Sequence, residues 1–308
     1  MQCGLLERPL ERDYDEVMKV AARSSSTPAL AVARPDLSAI VLTGVDVLRY
    51  LHTVTSQHTA DRVPGEAASA LLLSPKGKID FAFRLAVGPD RVVVDTETAA
   101  ADGLVERLRR FVFRFDVQVA DPVAGGVTLL GPAAAGVEVP DDGRVTFADG
   151  VVIHRTPLGV DLLGPTGVPG IDPAGPEALE AARVAHGLPR WGYELTDDVI
   201  AEEAGLLGSH VHLDKGCYPG QETVARVHNL GQVQRRLAGL RFSGDAVPPF
   251  RTDLVSEDGR RAGQVRTALV HPELGPVALA YVRRVVPDGG RVLAGDLAAT
   301  VVPLPFAG

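Results

Sequence analysis

Cysteine is almost missing from this chain: its 308 residues hold only Cys3 and Cys217. Two thiols so far apart in sequence, one of them beside the terminus, exclude a disulfide framework and fit a reducing compartment. Aromatic residues are also scarce, at 5% with Trp191 the single tryptophan, so the cores must be built mainly from Val, Leu and Ala. Long apolar runs are lacking too. The opening MQCGLLERPLERDYDEV is charged throughout and has no apolar stretch of the kind a signal peptide needs, and no later segment reaches the roughly 20 uninterrupted apolar residues of a membrane helix. The expectation is a cytoplasmic protein, neither exported nor inserted in a membrane. Excess positive charge is the last absence: a net charge of −8 argues against a chain whose main task is to grip a phosphate backbone, since clustered cations drive such binding.

Lysine is rare among the cations. Only Lys19, Lys76, Lys78 and Lys215 occur, every other cation being arginine, and three of the four fall in two short glycine-containing loops. The length favours two or three units, each burying its own core. Residues 1–27 read as a lead-in ending in a polar Ser-rich run. From Ala39 to Thr43 a short apolar strand precedes Asp46, an N-cap candidate for a helix carrying Val47, Leu48 and Leu51. Ala68 to Leu73 and Ile79 to Val87 then form a hairpin around Ser74-Pro75-Lys76-Gly77-Lys78. Leu104, Leu108 and Phe111 recur at helical spacing, with Glu106 and Arg110 placed i,i+4. Phe113, Phe115, Val117 and Val119 alternate with polar residues as a strand would.

These elements make residues 28–121 a first α+β domain of ferredoxin-like character, and residues 122–236 a second α+β domain containing a helix from Glu177 to His186. The short strand-like runs of residues 237–308 point to a small C-terminal β-barrel domain.

The segment Lys215-Gly216-Cys217-Tyr218-Pro219-Gly220-Gln221-Glu222 carries the chemistry. Its two glycines permit close backbone approach, and Pro219 with Gly220 suggests a turn feeding a helix from Gln221. A thiol just ahead of a helix N-terminus, with Lys215 two residues away, would gain thiolate character. An isolated cysteine is commonly a small buried hydrophobe; here its neighbours favour a reactive thiol. His210 and His212 would share one strand face, yet a structural zinc site needs four ligands and an iron-sulfur cluster normally four as well, so no metal site is expected in the chain itself.

This run resembles the Lys-Gly-Cys-Tyr-x-Gly-Gln-Glu signature of the YgfZ family of folate-binding proteins, in the GcvT-like superfamily. The resemblance extends to Leu42–Asp46, Leu73–Lys78, Arg183–Gly192, Glu203, Leu206 and Val277–Val282. It implies a three-part fold, two ferredoxin-like α+β units and a C-terminal β-barrel around a central folate channel. It further implies a monomeric tetrahydrofolate-binding accessory protein for iron-sulfur cluster assembly or repair. In that reading Cys217 and Lys215 act on sulfur or on a transient cluster shared with a client or assembly protein. Gly216, Tyr218, Gly220, Gln221, Glu222, Arg226, Lys78, Trp191 and Glu203 would serve the cofactor. Two alternatives stand beside it: a folate-dependent aminomethyl transferase, the activity of the superfamily's near relatives, and an RNA-binding factor for tRNA modification. Two positions depart from the aminomethyltransferase pattern. Ala82 falls where those enzymes carry an Asp, and Ala185 where they carry the Glu that anchors the pterin; alanine can neither exchange a proton nor accept from a guanidine-like edge.

Overall fold

The computed structural model describes residues 30–131, 143–164, 172–231 and 233–306; the expected lead-in, with Cys3, lies outside them. The described chain forms two compact units. One holds the residues up to Leu72, Phe81–Leu179 and Asp214–Tyr218; the other holds Leu73–Asp80, Glu180–Leu213 and the residues from Pro219 onward.

In the first unit the chain runs through β1 (Leu30–Ala33), β2 (Leu37–Thr43), α1 (Val47–Val54), β3 (Ala67–Leu73), β4 (Ile79–Val87), β5 (Val92–Glu97), α2 (Thr98–Arg110), β6 (Gln118–Val119) and β7 (Val123–Ala124). A sheet of order β3-β4-β5-β2-β6 results, with β7 also on β2. The period-two rule of a strand divides β2 between two cores. Ile40 and Leu42 face Tyr50 and Leu51 of α1 and Leu104 and Leu108 of α2, while Leu37, Ala39 and Val41 face the opposite side. That opposite side packs on a second sheet built from β8 (Gly126–Leu130), β9 (Val145–Ala148), β10 (Val151–Thr156), β11 (Gly159–Leu163) and β12 (Asp172–Ala174), in the order β12-β1-β8-β11-β10-β9. Val145, Phe147, Val152 and Leu163 supply its apolar face.

A charged cluster is buried in this unit. Arg84 meets Asp95 at 2.5 Å and Asp161 at 2.7 Å, and Thr128 donates to Asp161 at 2.6 Å. Burial opposes ionisation of Asp161, but Arg84, Arg34 and the Thr128 hydrogen bond hold it below the usual carboxylate range. Beside it His154 is 3% exposed, and burial lowers its pKa to about 4.

The second unit contains most of α3 (Pro176–His186), then α4 (Leu207–His210), α5 (Gln221–Leu230) and strands β13 (Arg235–Phe242), β14 (Asp253–Ser256), β15 (Arg261–His271), β16 (Gly275–Arg283), β17 (Arg291–Ala294) and β18 (Leu297–Val302). These strands close into a barrel of order β13-β16-β15-β14-β17-β18, which removes free edges. Strand β16 is buried on both faces for a reason visible in its alternation. Ala278, Ala280 and Val282 fill the barrel interior, whereas Val277 and Leu279 pack with Val184 of α3 and with Phe306.

The α+β sheets and the C-terminal barrel agree with the expected fold class, and the Glu106–Arg110 pair forms at 2.8 Å. Three local expectations are corrected. Residues 113–119 do not form one strand: Val112–Arg114 is a short 3-10 turn and only Gln118–Val119 pairs. Phe113 is 76% exposed and Phe115 packs edge-on to Tyr50, so the alternation never finds a second sheet face. Asp46 stands at the N-cap of α1 but makes no capping bond, its carboxylate accepting instead from the Asp116 N–H at 3.0 Å. His210 and His212 do not share a strand face, because Leu207–His210 is a helical turn and His212 follows in irregular chain. Among the described residues no helix is long and apolar enough to cross a membrane.

Candidate functional site

The loop Asp214–Tyr218 belongs to the first unit. Lys215 is its anchor: the side chain is buried, and its ammonium donates to the carbonyls of His52 and Thr55. Those carbonyls belong to the last turn and the C-cap of α1, where a helix leaves acceptors unsatisfied and presents the negative end of its dipole. The ammonium also lies 4.8 Å from the Tyr218 ring centroid, and burial lowers its pKa to about 8. Lys215 was expected to act on the thiol; its hydrogen bonds tie the loop to α1. Cys217 is exposed and free, as is required of a thiol that meets other molecules. Tyr218 is buried. Gly216 is not forced by sterics, since nothing lies within 4 Å of where its Cβ would be.

The remaining residues fall in the second unit. Gly220 caps α5 in the left-handed conformation, φ 81°, and a Cβ there would lie 2.6 Å from the Ser74 carbonyl oxygen. Gly77, at the hairpin tip with φ 73°, is the reciprocal case: its Cβ would meet Thr223 of α5 at 2.6 Å. The two glycines let the hairpin tip and the helix start interlock, backbone against backbone. Gln221 is half-buried there, and Glu222 and Arg226 are exposed on α5. Beside this junction Gly77, Ile200, Ala201, Leu207, Thr223 and Val224 line a small, mostly apolar pocket.

Lys78 donates to the Asp198 carbonyl at 2.7 Å, and backbone pairing fixes this contact, Ile79 N–H donating to Val199 at 2.9 Å. Arg235 then gathers two acids, reaching Asp198 at 2.9 Å and Glu203 at 3.2 Å. Thr196 donates to the other Asp198 oxygen at 2.5 Å. Burial works against the charge on Asp198, yet the Thr196 and Arg235 hydrogen bonds bring its pKa below the ordinary value. Lys78, Glu203, Arg235 and the unforeseen Asp198 therefore form one cluster, and Trp191 is half-buried and bridged to Leu195.

A second unforeseen cluster centres on Glu194, which is fully buried. It accepts from Arg183 and from the Arg190 N–H at 3.0 Å each, and from Thr267 at 2.5 Å. Arg183 had appeared only as part of the resembling segment; an arginine on the otherwise apolar side of α3 was the available signal. Because Glu194 is fully buried among these partners, no ligand reaches it, and this acid does not replace the one missing at Ala185.

No profile of a known protein family matches the chain. A solved relative in fold is the glycine cleavage system aminomethyltransferase T from Bartonella henselae, which superposes with a TM-score of 0.80 over 94% of this chain and 89% of its own, at 20% identity. The chain has a GcvT-like fold. In sequence the chain is 28% identical to an aminomethyltransferase of Nostoc over 86% of this chain and 81% of that one. It is 24% identical to a chloroplastic protein of Arabidopsis thaliana provisionally named a transferase, over 87% of this chain and 68% of that one. Within this GcvT-like fold Ala82 accepts from Thr96 through its carbonyl and Ala185 from Phe306 in the same way, so both departing positions serve as backbone only. Among the described residues no three His, Cys, Asp or Glu side chains are grouped to hold a metal.

Proposed function

We propose that this GcvT-like protein binds tetrahydrofolate and handles a one-carbon unit, as a relative of the aminomethyltransferases. Carrying the reading is the alignment of a protein of that name with 86% of the chain. The donor set of the second unit fits the cofactor. A pterin presents a guanidine-like edge that requires a carboxylate, and Asp198, with its side chain 54% exposed, is a charged acid held in place by Arg235 and Thr196. It stands as the replacement for the acid missing at Ala185. Lys78 would fix the loop that carries Asp198, and Glu203 would neutralise Arg235 from the buried side.

Tetrahydrofolate, when bound, would supply the nitrogens that accept or release the one-carbon unit. The chain's own contribution is orientation and proton handling: Asp198 accepts hydrogen bonds as a carboxylate, and Lys215 holds the Cys217 loop against α1. The finer reading, membership of the YgfZ branch and service to iron-sulfur proteins, is favoured by one observation, the exposure of Cys217 in the signature Lys215–Glu222. We place it second because the named relatives are transferases.

The test pairs two measurements. Asp198→Asn should weaken tetrahydrofolate binding about tenfold, the cost of replacing a charge-assisted bond, and wild-type protein should release labelled carbon from methylenetetrahydrofolate when an amine acceptor is present. Unchanged affinity in the variant would remove Asp198 from the site. Binding without carbon release, together with loss of iron-sulfur enzyme activity in cells carrying Cys217→Ser, would promote the second reading.

A further inference from the structure

The barrel carries cations that the folate reading does not use. Pairing of β15 with β16 passes from Val265–Ala280 to Thr267–Leu279 with a register shift, so Arg266 is the extra residue of a β-bulge. Such bulges re-aim a side chain and interrupt the ladder. Val265 on one side fills the barrel core, and Thr267 on the other donates to Glu194. Arg266 between them is 5% exposed. Its Nε is buried with no acceptor, and among the described residues its guanidinium makes neither a hydrogen bond nor an ion pair.

What surrounds Arg266 sharpens the anomaly. Its guanidinium lies 5.5 Å from the Tyr281 ring centroid, and Arg235 lies 4.8 Å from the same ring. The carboxylate within its field, Asp198, accepts from Arg235 and Thr196 and not from Arg266. Burial lowers the Arg266 pKa, and the charges of Arg235 and Arg251 push the same way against Asp198. Arg251 is tied beside the bulge, its N–H donating to Val265 at 3.0 Å and Val265 donating to Thr252 at 2.9 Å. It is exposed and adopts φ 65°, a conformation that a residue with a side chain rarely takes. Among the described residues it too lacks an ion pair, and its guanidinium rests 5.2 Å from the Phe250 ring centroid. Phe250, 46% exposed, in turn meets Tyr193, 40% exposed, with ring centroids 5.4 Å apart.

We propose that Arg266 and Arg251 form an oxyanion site on the barrel, which takes the carboxylate or phosphate of a small molecule whose flat or apolar body lies on the Tyr193–Phe250 pair. A buried guanidinium without a partner is costly, and an anion is the group that removes the cost. The planar fork of arginine matches either oxyanion through two parallel hydrogen bonds. Strain is stored at functional positions when the surroundings enforce it, and Arg251 is such a position, held left-handed with its cation beside a second cation. Exposed aromatic faces beside charged groups suit a ligand with one flat end and one anionic end. The proposal does not depend on the folate reading.

Calorimetric titration of the full chain at low ionic strength with benzoate, phenyl phosphate and inorganic phosphate tests it. Saturable binding of at least one probe is expected, weakened about tenfold or more by Arg266→Gln and by Arg251→Gly and lost in about 0.5 M salt. Tighter binding of benzoate assigns the site to carboxylates, and tighter binding of phenyl phosphate to phosphate esters. Thermal unfolding supplies a readout that a purely structural arginine would not give: without anion, Arg266→Gln should melt at a higher temperature than wild type, and the anion-induced rise in melting temperature should vanish in both variants. No binding by any probe, or binding that survives both substitutions, overturns the proposal. A lower melting point for Arg266→Gln with no anion response in wild type does so equally, by making Arg266 a packing residue.

Discussion

Lys215 gives the sharpest quantitative prediction, because its burial and its two carbonyl acceptors tie one charge to the stability of the Cys217 loop. Its pKa falls from 10.5 in the unfolded chain to about 8 in the fold. Below the lower value both states carry the proton and the fold bears the cost of a buried ammonium; above the higher value neither does. The stabilisation is therefore complete above the unfolded pKa and lost as pH falls through the folded one, so stability rises with pH across this window. Converted directly, the difference is about 3 kcal/mol; the two carbonyl acceptors, which favour the charged form, reduce it to about 2 kcal/mol. About half of this, roughly 1 kcal/mol, falls between pH 7.5 and 9.5. Urea unfolding of wild type and Lys215→Met at both pH values isolates the effect, since every other titrating group is common to the two proteins. Wild type should gain about 1 kcal/mol on the variant as pH rises. Parallel profiles would show that the two carbonyl acceptors make up for the solvation lost on burial, and the predicted cost of the buried ammonium would fail.

Two further perturbations probe the frame. Gly220→Ala should destabilise by about 2 kcal/mol or more, because the residue is left-handed and its new methyl carbon would lie 2.6 Å from the Ser74 oxygen; Gly216→Ala, which meets nothing, should be near neutral, and thermal melting of the two distinguishes the steric claim. Glu194→Gln leaves Arg183 buried beside a neutral amide and should cost about 3 kcal/mol, read by urea unfolding, with little change if Glu180 alone can balance the guanidinium.

Legibility in the sequence followed the range of the interaction. The β3–β4 hairpin, helices α2, α3 and α5 and the barrel strands announce themselves through local period and turn residues, and the turn at Gly220 through its place after Pro219. Where the period had no surface to bury against, as at Phe113, it misled. The partners of Lys215 lie 163 and 160 residues away along the chain, and no local pattern could name them. Arg235 with Asp198, Arg183 with Glu194 and Arg266 beside Arg251 are likewise products of chain topology: each residue alone reads as an ordinary surface charge. The Arg266 bulge in particular interrupts a strand whose apolar alternation gives no sign of an extra residue.

The most direct test of the central claim exploits the single tryptophan. Tetrahydrofolate titrated into the full chain should change Trp191 emission along a saturable curve, with a stoichiometry near one confirmed by calorimetry. A flat emission trace together with no heat of binding would contradict the account.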